Sequence, residues 1–221
     1  MSEERFDLVD EFCKPLGVTK ARKLVHRDGD WHQAVHVWVL FHDTWEVVMQ
    51  QRNLDKDSWP GMWDISSAGH VVAGDGILES AVRELQEELG LDLPEDAFRF
   101  LFRYKQEFQG EFHGKKFVNN EFNHVYCVTL KSRLPVSAFT LQSSEVRAVK
   151  FVKLVELGDL LRRGDPDHCV YLAGLGAQGG PLEAAKYADL FKLERVDHGH
   201  DRWGKIRVNG VQVEYLTQAS K

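Results

Sequence analysis

The chain has 221 residues, of which 43% are hydrophobic and 28% charged, with a formal net charge of −6. This composition supports one substantial core, and the negative charge disfavours attraction to nucleic-acid backbones. The three cysteines are far apart and show no CxxC spacing, so neither a disulfide framework nor a zinc site is indicated. No apolar run approaches the roughly 20 residues of a membrane span, and the acidic N-terminus MSEERFDLVDEF is unlike a signal peptide. We therefore expect a cytoplasmic protein without nucleic-acid or membrane partners, and a homodimer stays open.

Hydrophobic periodicity predicts an alternation of strands and helices. Residues 35–41 and 46–50 are apolar runs on either side of a short polar segment, which is typical of a β-hairpin. Apolar residues at helical spacing predict a helix over 77–89, with Gly90 as its stop. Further strands and a short closing helix are predicted at 99–108, 123–130, 147–153 and 155–163. The pattern indicates an α/β fold with a mixed β-sheet flanked by helices.

The composition changes near residue 165, and we divide the chain there. Residues 1–30 form an N-terminal segment, 31–165 the α/β domain and 166–221 a C-terminal extension. Within the extension, Pro181 suits the start of a helix, and Asn209-Gly210 is the signal of a two-residue hairpin turn.

Three glutamates of the predicted helix, Glu84, Glu87 and Glu88, fall within an arc of roughly 100° that lies apart from its apolar face. We expect that face to be exposed. Like charges at this spacing cost about 0.2–0.5 kcal/mol per pair unless a counter-charge is present, and a divalent cation would provide one. The alternative is an ordinary solvated acidic face.

The span 69–91, GHVVAGDGILESAVRELQEELGL, resembles the Nudix box, written G-x5-E-x7-R-E-U-x-E-E-x-G-U with U apolar. Every fixed position matches except the first glutamate, which is Asp75 here. The resemblance implies a Nudix α/β/α sandwich over about 30–160. It also implies hydrolysis of a diphosphate linkage in a small molecule by a metal-activated water, with nucleoside di- or triphosphates, nucleotide derivatives or isoprenoid diphosphates as the substrate classes.

The same resemblance implies roles for individual residues. The metal-binding set, for Mg²⁺ or Mn²⁺, would be Gly69, Asp75, Glu84, Glu87, Glu88 and Glu121. Arg83 would orient a glutamate, and Arg83, Glu84 and Glu87 would form the catalytic group. Because Asp75 is one methylene shorter than the usual glutamate, we expect a bridging water there, and we expect Asp75→Glu to tighten metal dependence.

Residues upstream of the box are similar to type 1 isopentenyl-diphosphate isomerase, which shares the Nudix fold. The similarity lies in HQAVHV from His32, QQR from Gln50, SWPGMW from Ser58 and the pair Gly69-His70. The proton-transfer positions of that family are occupied here by Ala68 and Asn123, and neither side chain can transfer a proton at neutral pH. We therefore do not expect isomerase activity. It stays an alternative, as does a Nudix module that binds a diphosphate without cleaving it.

The same upstream region supplies candidate substrate-binding residues, which are Arg52, Lys56, His32, His70, Trp59 and Trp63. The histidines could form a second metal or diphosphate site, and the two tryptophans a pocket wall. The competing interpretations are partly buried structural histidines, solvated loop charges and core tryptophans. His198 and His200 lie in a charged, glycine-containing tail and are not expected to bind a metal.

Overall fold

The computed structural model describes residues 3–56, 58–112, 114–163, 165–169 and 203–218. The strands are β1 Arg5–Val9, β2 Pro15–Ala21, β3 Trp31–Phe41, β4 Glu46–Arg52, β5 Trp63–Asp64, β6 Ser67–His70, β7 Phe98–Phe112, β8 Lys115–Leu130, β9 Val146–Lys153, β10 Trp203–Val208 and β11 Val211–Leu216. The helices are α1 Arg22–Asp28, α2 Ile77–Leu89 and α3 Leu154–Arg163. None of these helices has the length and apolar character to cross a membrane. The helix predicted from Pro181, and His198 and His200, lie outside the described residues.

Nine of the described strands form one mixed sheet. Its main path is β10-β11-β8-β3-β4-β5, with β6 paired to β3, β7 to β8 and β9 to β4. The long strands β3 and β8 run parallel, and their register joins His32 to Glu121 and Val39 to Val128. The predicted hairpin is confirmed, because β3 and β4 pair antiparallel through Leu40 and Val47.

The sheet separates two apolar cores because successive side chains of a strand point to opposite faces. Val35, Val37 and Val39 of β3 belong to the core beneath α2. Trp38 and Leu40 of the same strand belong to the core beneath α3. A sheet with one helix packed on each face is the predicted α/β/α sandwich, and the predicted fold class is confirmed.

Helix α2 has the bounds that its periodicity predicts, and Gly90 ends it in the left-handed conformation with φ 71°. Ala81, Leu85 and Leu89 are fully buried on its inner side. The expectation that its three glutamates share an exposed face is wrong for Glu88, which is 4% exposed. Its side chain turns in toward the sheet, where it contacts the backbone of β6 and a side chain of β4.

Both ends of the chain add ordered elements. The hairpin of β1 and β2 and helix α1 occupy the N-terminal segment, for which no element was predicted. At the other end, β10 and β11 pair through the predicted Asn209-Gly210 turn, and Tyr215 of β11 pairs with Leu130 of β8. This C-terminal hairpin therefore extends the central sheet. The division of the chain at residues 31 and 165 stays a prediction.

Candidate active site

A cavity of about 300 Å³ opens where α2, β6 and the middle of the sheet meet. Its volume lies within the range of small-molecule sites. Ten of the residues predicted to be functional line it, namely Arg52, Lys56, Trp59, Gly69, His70, Arg83, Glu84, Glu87, Glu88 and Glu121. Residues that are far apart in the sequence are thus brought to one place, as the two resemblances together imply.

Two of the α2 carboxyl groups are withdrawn from water. Glu88 accepts hydrogen bonds from the Ala68 backbone nitrogen at 3.1 Å and from Gln50 Nε2 at 3.0 Å. Burial, followed by the charge of Glu84, raises the pKa of Glu88 to about 8, and burial raises the pKa of Glu84 to about 7. A bound cation would offset this cost, because it favours the ionised form of each carboxyl group.

Gly69 is required by the position of Glu84. A Cβ atom at residue 69 would overlap the Glu84 carboxyl group, and the backbone there is held in the sheet by pairing with Val35. The carboxylate therefore lies directly against the β6 main chain.

Arg83 contacts three acidic residues at or near the cavity, Glu84, Glu87 and Asp75. Its Nη1 lies 2.8 Å from Glu84 Oε1 and 3.3 Å from Glu87 Oε2, and its Nη2 donates to the His70 carbonyl at 3.3 Å. The Arg83 Nε lies 3.7 Å from Asp75 Oδ2. Asp75 is not among the described residues that line the cavity, so its carboxylate acts on Arg83 rather than on the cavity.

Three imidazoles and one carboxylate gather beside the α2 glutamates. Each of His26, His32 and His70 has one ring nitrogen that lies within 4.8 Å of a ring nitrogen of the other two. The three nitrogens are therefore close enough to bind one metal ion together. Glu121 Oε1 lies 3.1 Å from His70 Nε2 and 3.4 Å from His32 Nε2. Burial alone raises the pKa of Glu121, but its contacts with His32 and His70 outweigh burial and lower that pKa well below the usual value.

The histidines are arranged to accept a cation. His32 is fully buried behind the cavity wall, and its Nδ1 lies 3.0 Å from the Asp30 carbonyl oxygen. Because a carbonyl oxygen can only accept a hydrogen bond, this contact places a proton on Nδ1, and the other ring nitrogen, Nε2, faces Glu121. His32 Nε2 and His26 Nδ1 are buried without a hydrogen-bond partner. Burial lowers the pKa of His26 to about 3 and also lowers that of His70, so both rings are neutral, as metal ligands must be. The donor set therefore fits a divalent cation.

The N-terminal segment covers this histidine group. Phe6 of β1 is fully buried and stacks on His32 and His70, with ring centroids 5.0 and 4.5 Å apart. His26 comes from α1, and Arg22 and Glu4 also line the cavity. No motif in residues 1–30 indicated these roles, because Phe6 and Arg22 meet the site only through the tertiary fold.

The basic and aromatic candidates differ in position. Arg52 pairs with Asp64 at 3.0 Å, and Lys56 pairs with Glu145. Both cations line the cavity, as does the Trp59 side chain. Of the two interpretations of Trp63, a pocket wall or a core residue, the structure favours the second, because Trp63 packs against the core beneath α3 and carries the Lys150 ammonium group over its ring.

The cavity is also lined by polar residues that sequence reasoning did not select, namely His36, Gln106 and Asn119. Their common signal is alternation, since each points to the same sheet face as Glu121 or His32. That signal could not be used before the strand pairing was known.

The sandwich and the cavity define a class of protein, an α/β fold in which one amphipathic helix delivers carboxylates to a cavity on the sheet. A model of the NUDIX domain family matches residues 30–173, and this chain belongs to that family. It is 52% identical over 171 residues to a protein named Nudix hydrolase 3 from Arabidopsis thaliana, a match that covers 77% of this chain and 22% of that relative. The chain thus matches about a fifth of that relative's length.

A second relative, named as a Nudix hydrolase, comes from Clostridium acetobutylicum. It is 37% identical over 163 residues, covering 73% of this chain and 75% of the relative. A crystal structure from Deinococcus radiodurans matches with a TM-score of 0.57 at 18% identity, covering 84% of this chain and 98% of that one. This structural match supports the fold. The family predicted from residues 69–91 is confirmed.

Proposed function

We propose that the protein is a divalent-metal-dependent pyrophosphohydrolase of small diphosphate compounds. The observation that carries the proposal is two carboxyl groups with raised pKa, the buried Glu88 and the partly buried Glu84, in one cavity with His26, whose Nδ1 is buried without a hydrogen-bond partner. Such groups are costly without a cation, and their oxygen and nitrogen donors suit Mg²⁺ or Mn²⁺.

Two sets of residues would hold the metal. The carboxylate set is Glu84, Glu87 and Glu88, together with the backbone at Gly69. The histidine set is His26, His32 and His70, with Glu121. A bound cation would lower the pKa of a water molecule and neutralise the charge of the diphosphate. The reaction would break one P–O bond of the diphosphate linkage, with the new oxygen coming from water.

The chain's own residues supply position and charge. Arg83 holds Glu84 and Glu87 in place through charge-assisted hydrogen bonds. The Ala68 nitrogen and Gln50 fix the orientation of Glu88. Arg52, Lys56 and Arg22 line the same cavity and would attract a diphosphate, because each can exchange its present carboxylate partner for a phosphate oxygen.

A phosphate-release assay tests the proposal. The full chain is incubated with nucleoside diphosphates, isopentenyl diphosphate and methyl diphosphate, in Mg²⁺ or Mn²⁺ and again in EDTA. We expect metal-dependent release of phosphate from at least one compound, and Glu88→Ala and Glu87→Ala should each reduce turnover by about 100-fold or more. Full activity in both variants, or activity in EDTA, would contradict the proposal. Tight binding of a diphosphate without turnover in either metal would identify a binding module instead.

A further inference from the structure

The three histidines beside Glu121 come from three different elements, and one aromatic ring of the N-terminal segment contacts all of them. His26 lies on α1, His32 on β3 and His70 on β6. The Phe6 ring of β1 lies at 9° to the His32 ring and at 22° to the His70 ring, with centroids 5.0 and 4.5 Å apart. Its centroid lies 6.1 Å from that of His26. Phe6 is therefore placed to act on the whole group, although its side chain has no atom that can bind a metal.

The plane of a histidine ring needs a contact from outside the residue to fix it, because the last side-chain torsion of histidine has only broad preferences. The ring nitrogens lie in that plane, so its rotation decides where their lone pairs point. His32 has such a contact between its Nδ1 and the Asp30 carbonyl oxygen. The His70 ring contacts Glu121, which would itself share a bound cation, and His26 Nδ1 is buried without a hydrogen-bond partner among the described residues. Hydrogen bonds thus support His70 and His26 less than His32, and ring packing supplies the difference.

The position of the Phe6 ring is itself fixed by the main chain and by packing. Phe6 forms an antiparallel β-bridge with Val72, two residues beyond His70 in the chain. On its other side, β1 pairs with β2. The Phe6 side chain is fully buried and forms a small core with Leu8 and Val25, the residue before His26. The ring is therefore held by the same chain segments that carry His26 and His70.

We propose that Phe6 is a positioning residue for the histidine group, because it holds the ring planes of His32 and His70 so that their nitrogens face one cation. It acts through the rings that it stacks on. A flat aromatic face fixes the plane of a neighbouring ring, whereas an aliphatic side chain fills the same space and lets that ring rotate. The inference rests on the metal site of the proposed function and extends that site into β1, outside the residues 30–173 that the family model matches.

Zn²⁺ binding to the full chain, measured by isothermal titration calorimetry, is the first test. Imidazole nitrogens suit Zn²⁺, and a constant excess of Mg²⁺ occupies the carboxylate set. His32→Gln identifies the phase of Zn²⁺ binding that belongs to the histidine group, and no difference between this variant and the wild type would overturn the inference. In that phase, we expect Phe6→Leu to bind Zn²⁺ about ten- to a hundredfold more weakly than the wild type.

Leu8→Ala is the matched control for Phe6→Leu. Leu8 is buried in the same small core, two residues along β1, and has no aromatic ring to stack on a histidine. Thermal melts should show that both variants lose stability, whereas the Zn²⁺ affinity of Leu8→Ala should stay within about threefold of the wild type. Unchanged affinity in Phe6→Leu would overturn the inference. So would equal weakening in the two variants, because Phe6 would then serve only the stability of the first hairpin.

The second test reads the geometry of the site with Co²⁺, whose visible absorption depends on its ligands and their arrangement. At saturating Co²⁺, we expect the spectrum of Phe6→Leu to differ from that of the wild type and the spectrum of Leu8→Ala to superimpose on it. Phe6→Met, a second apolar replacement without a ring, repeats both tests if Phe6→Leu does not fold. Spectra of the Phe6 variants that are identical to the wild-type spectrum would overturn the inference.

Neither measurement uses a substrate, so the inference and the proposed function can fail separately. Weaker Zn²⁺ binding by Phe6→Leu, together with no phosphate release by the wild type, would support the role of Phe6 and contradict the hydrolase function. Metal-dependent phosphate release by the wild type, with unchanged Zn²⁺ affinity in Phe6→Leu, would support the hydrolase function and overturn the role of Phe6.

Discussion

Gly69→Ala tests how closely the β6 backbone and the Glu84 carboxyl group are fitted. The new Cβ would overlap that carboxyl group, whereas an ordinary contact needs 3.4–4 Å. The strand cannot retreat, because Gly69 pairs with the fully buried Val35. Glu84 must therefore move by about 1 Å or more and weaken its 2.8 Å contact with Arg83. A displacement of this size in a catalytic site costs roughly 100-fold in rate.

We expect kcat/KM for phosphate release by Gly69→Ala to fall about 100-fold, with a loss of stability of only about 1–3 kcal/mol, or a few degrees in Tm. Steady-state kinetics and a thermal melt on the same preparation separate the two effects. Gly76→Ala is the control, because a Cβ at Gly76 meets nothing closer than 3.6 Å. Activity of Gly69→Ala within about twofold of the wild type would refute the steric argument.

Three further predictions follow from named contacts. Asp75→Glu should leave Mn²⁺ affinity within about threefold of the wild type by calorimetry, because Asp75 faces Arg83 and not the cavity; a clear tightening would restore the direct or water-mediated role expected from the sequence. An NMR time course should show no conversion of isopentenyl to dimethylallyl diphosphate, since Ala68 and Asn123 cannot transfer protons, and any conversion would contradict this. Burial lowers the pKa of His124 from 6.5 to about 4, so its neutral form stabilises the fold above pH 6.5 and this contribution is lost as the pH falls toward 4. Urea unfolding should show that the free energy of unfolding falls less between pH 7 and pH 5 in His124→Gln than in the wild type. An equal fall in both proteins would show that His124 does not contribute to this pH dependence.

The sequence predicts best where the determining interactions are local. The 3.6-residue period of α2 and its Gly90 stop, and the Asn209-Gly210 turn, depend on neighbouring residues, and each appears where it was predicted. The box residues were found because their spacing is itself a recognisable pattern. Glu88 was misjudged because helical geometry gives the direction of a side chain but not what covers it.

The features of the site that the sequence does not predict depend on contacts between residues far apart in the chain. Phe6 reaches His32 and His70 only because the first hairpin folds back over the sheet, and nothing local to Phe6 predicts that. The position of Gln106 in the cavity wall depends on strand register, since a shift of one residue would turn its side chain to the other face. Trp63 shows the same limit, because its type suited either a pocket wall or a core.

Mn²⁺ binding to the full chain, measured by isothermal titration calorimetry, tests the central claim that the cavity is built to hold a divalent cation. Glu88→Gln keeps the size of the buried side chain and removes its charge, and Glu79→Gln changes an exposed glutamate on the same helix. We predict that the wild type and Glu79→Gln bind Mn²⁺ equally and that Glu88→Gln binds it about tenfold or more weakly. Equal Mn²⁺ affinity in all three proteins, or no binding by the wild type, would contradict the account.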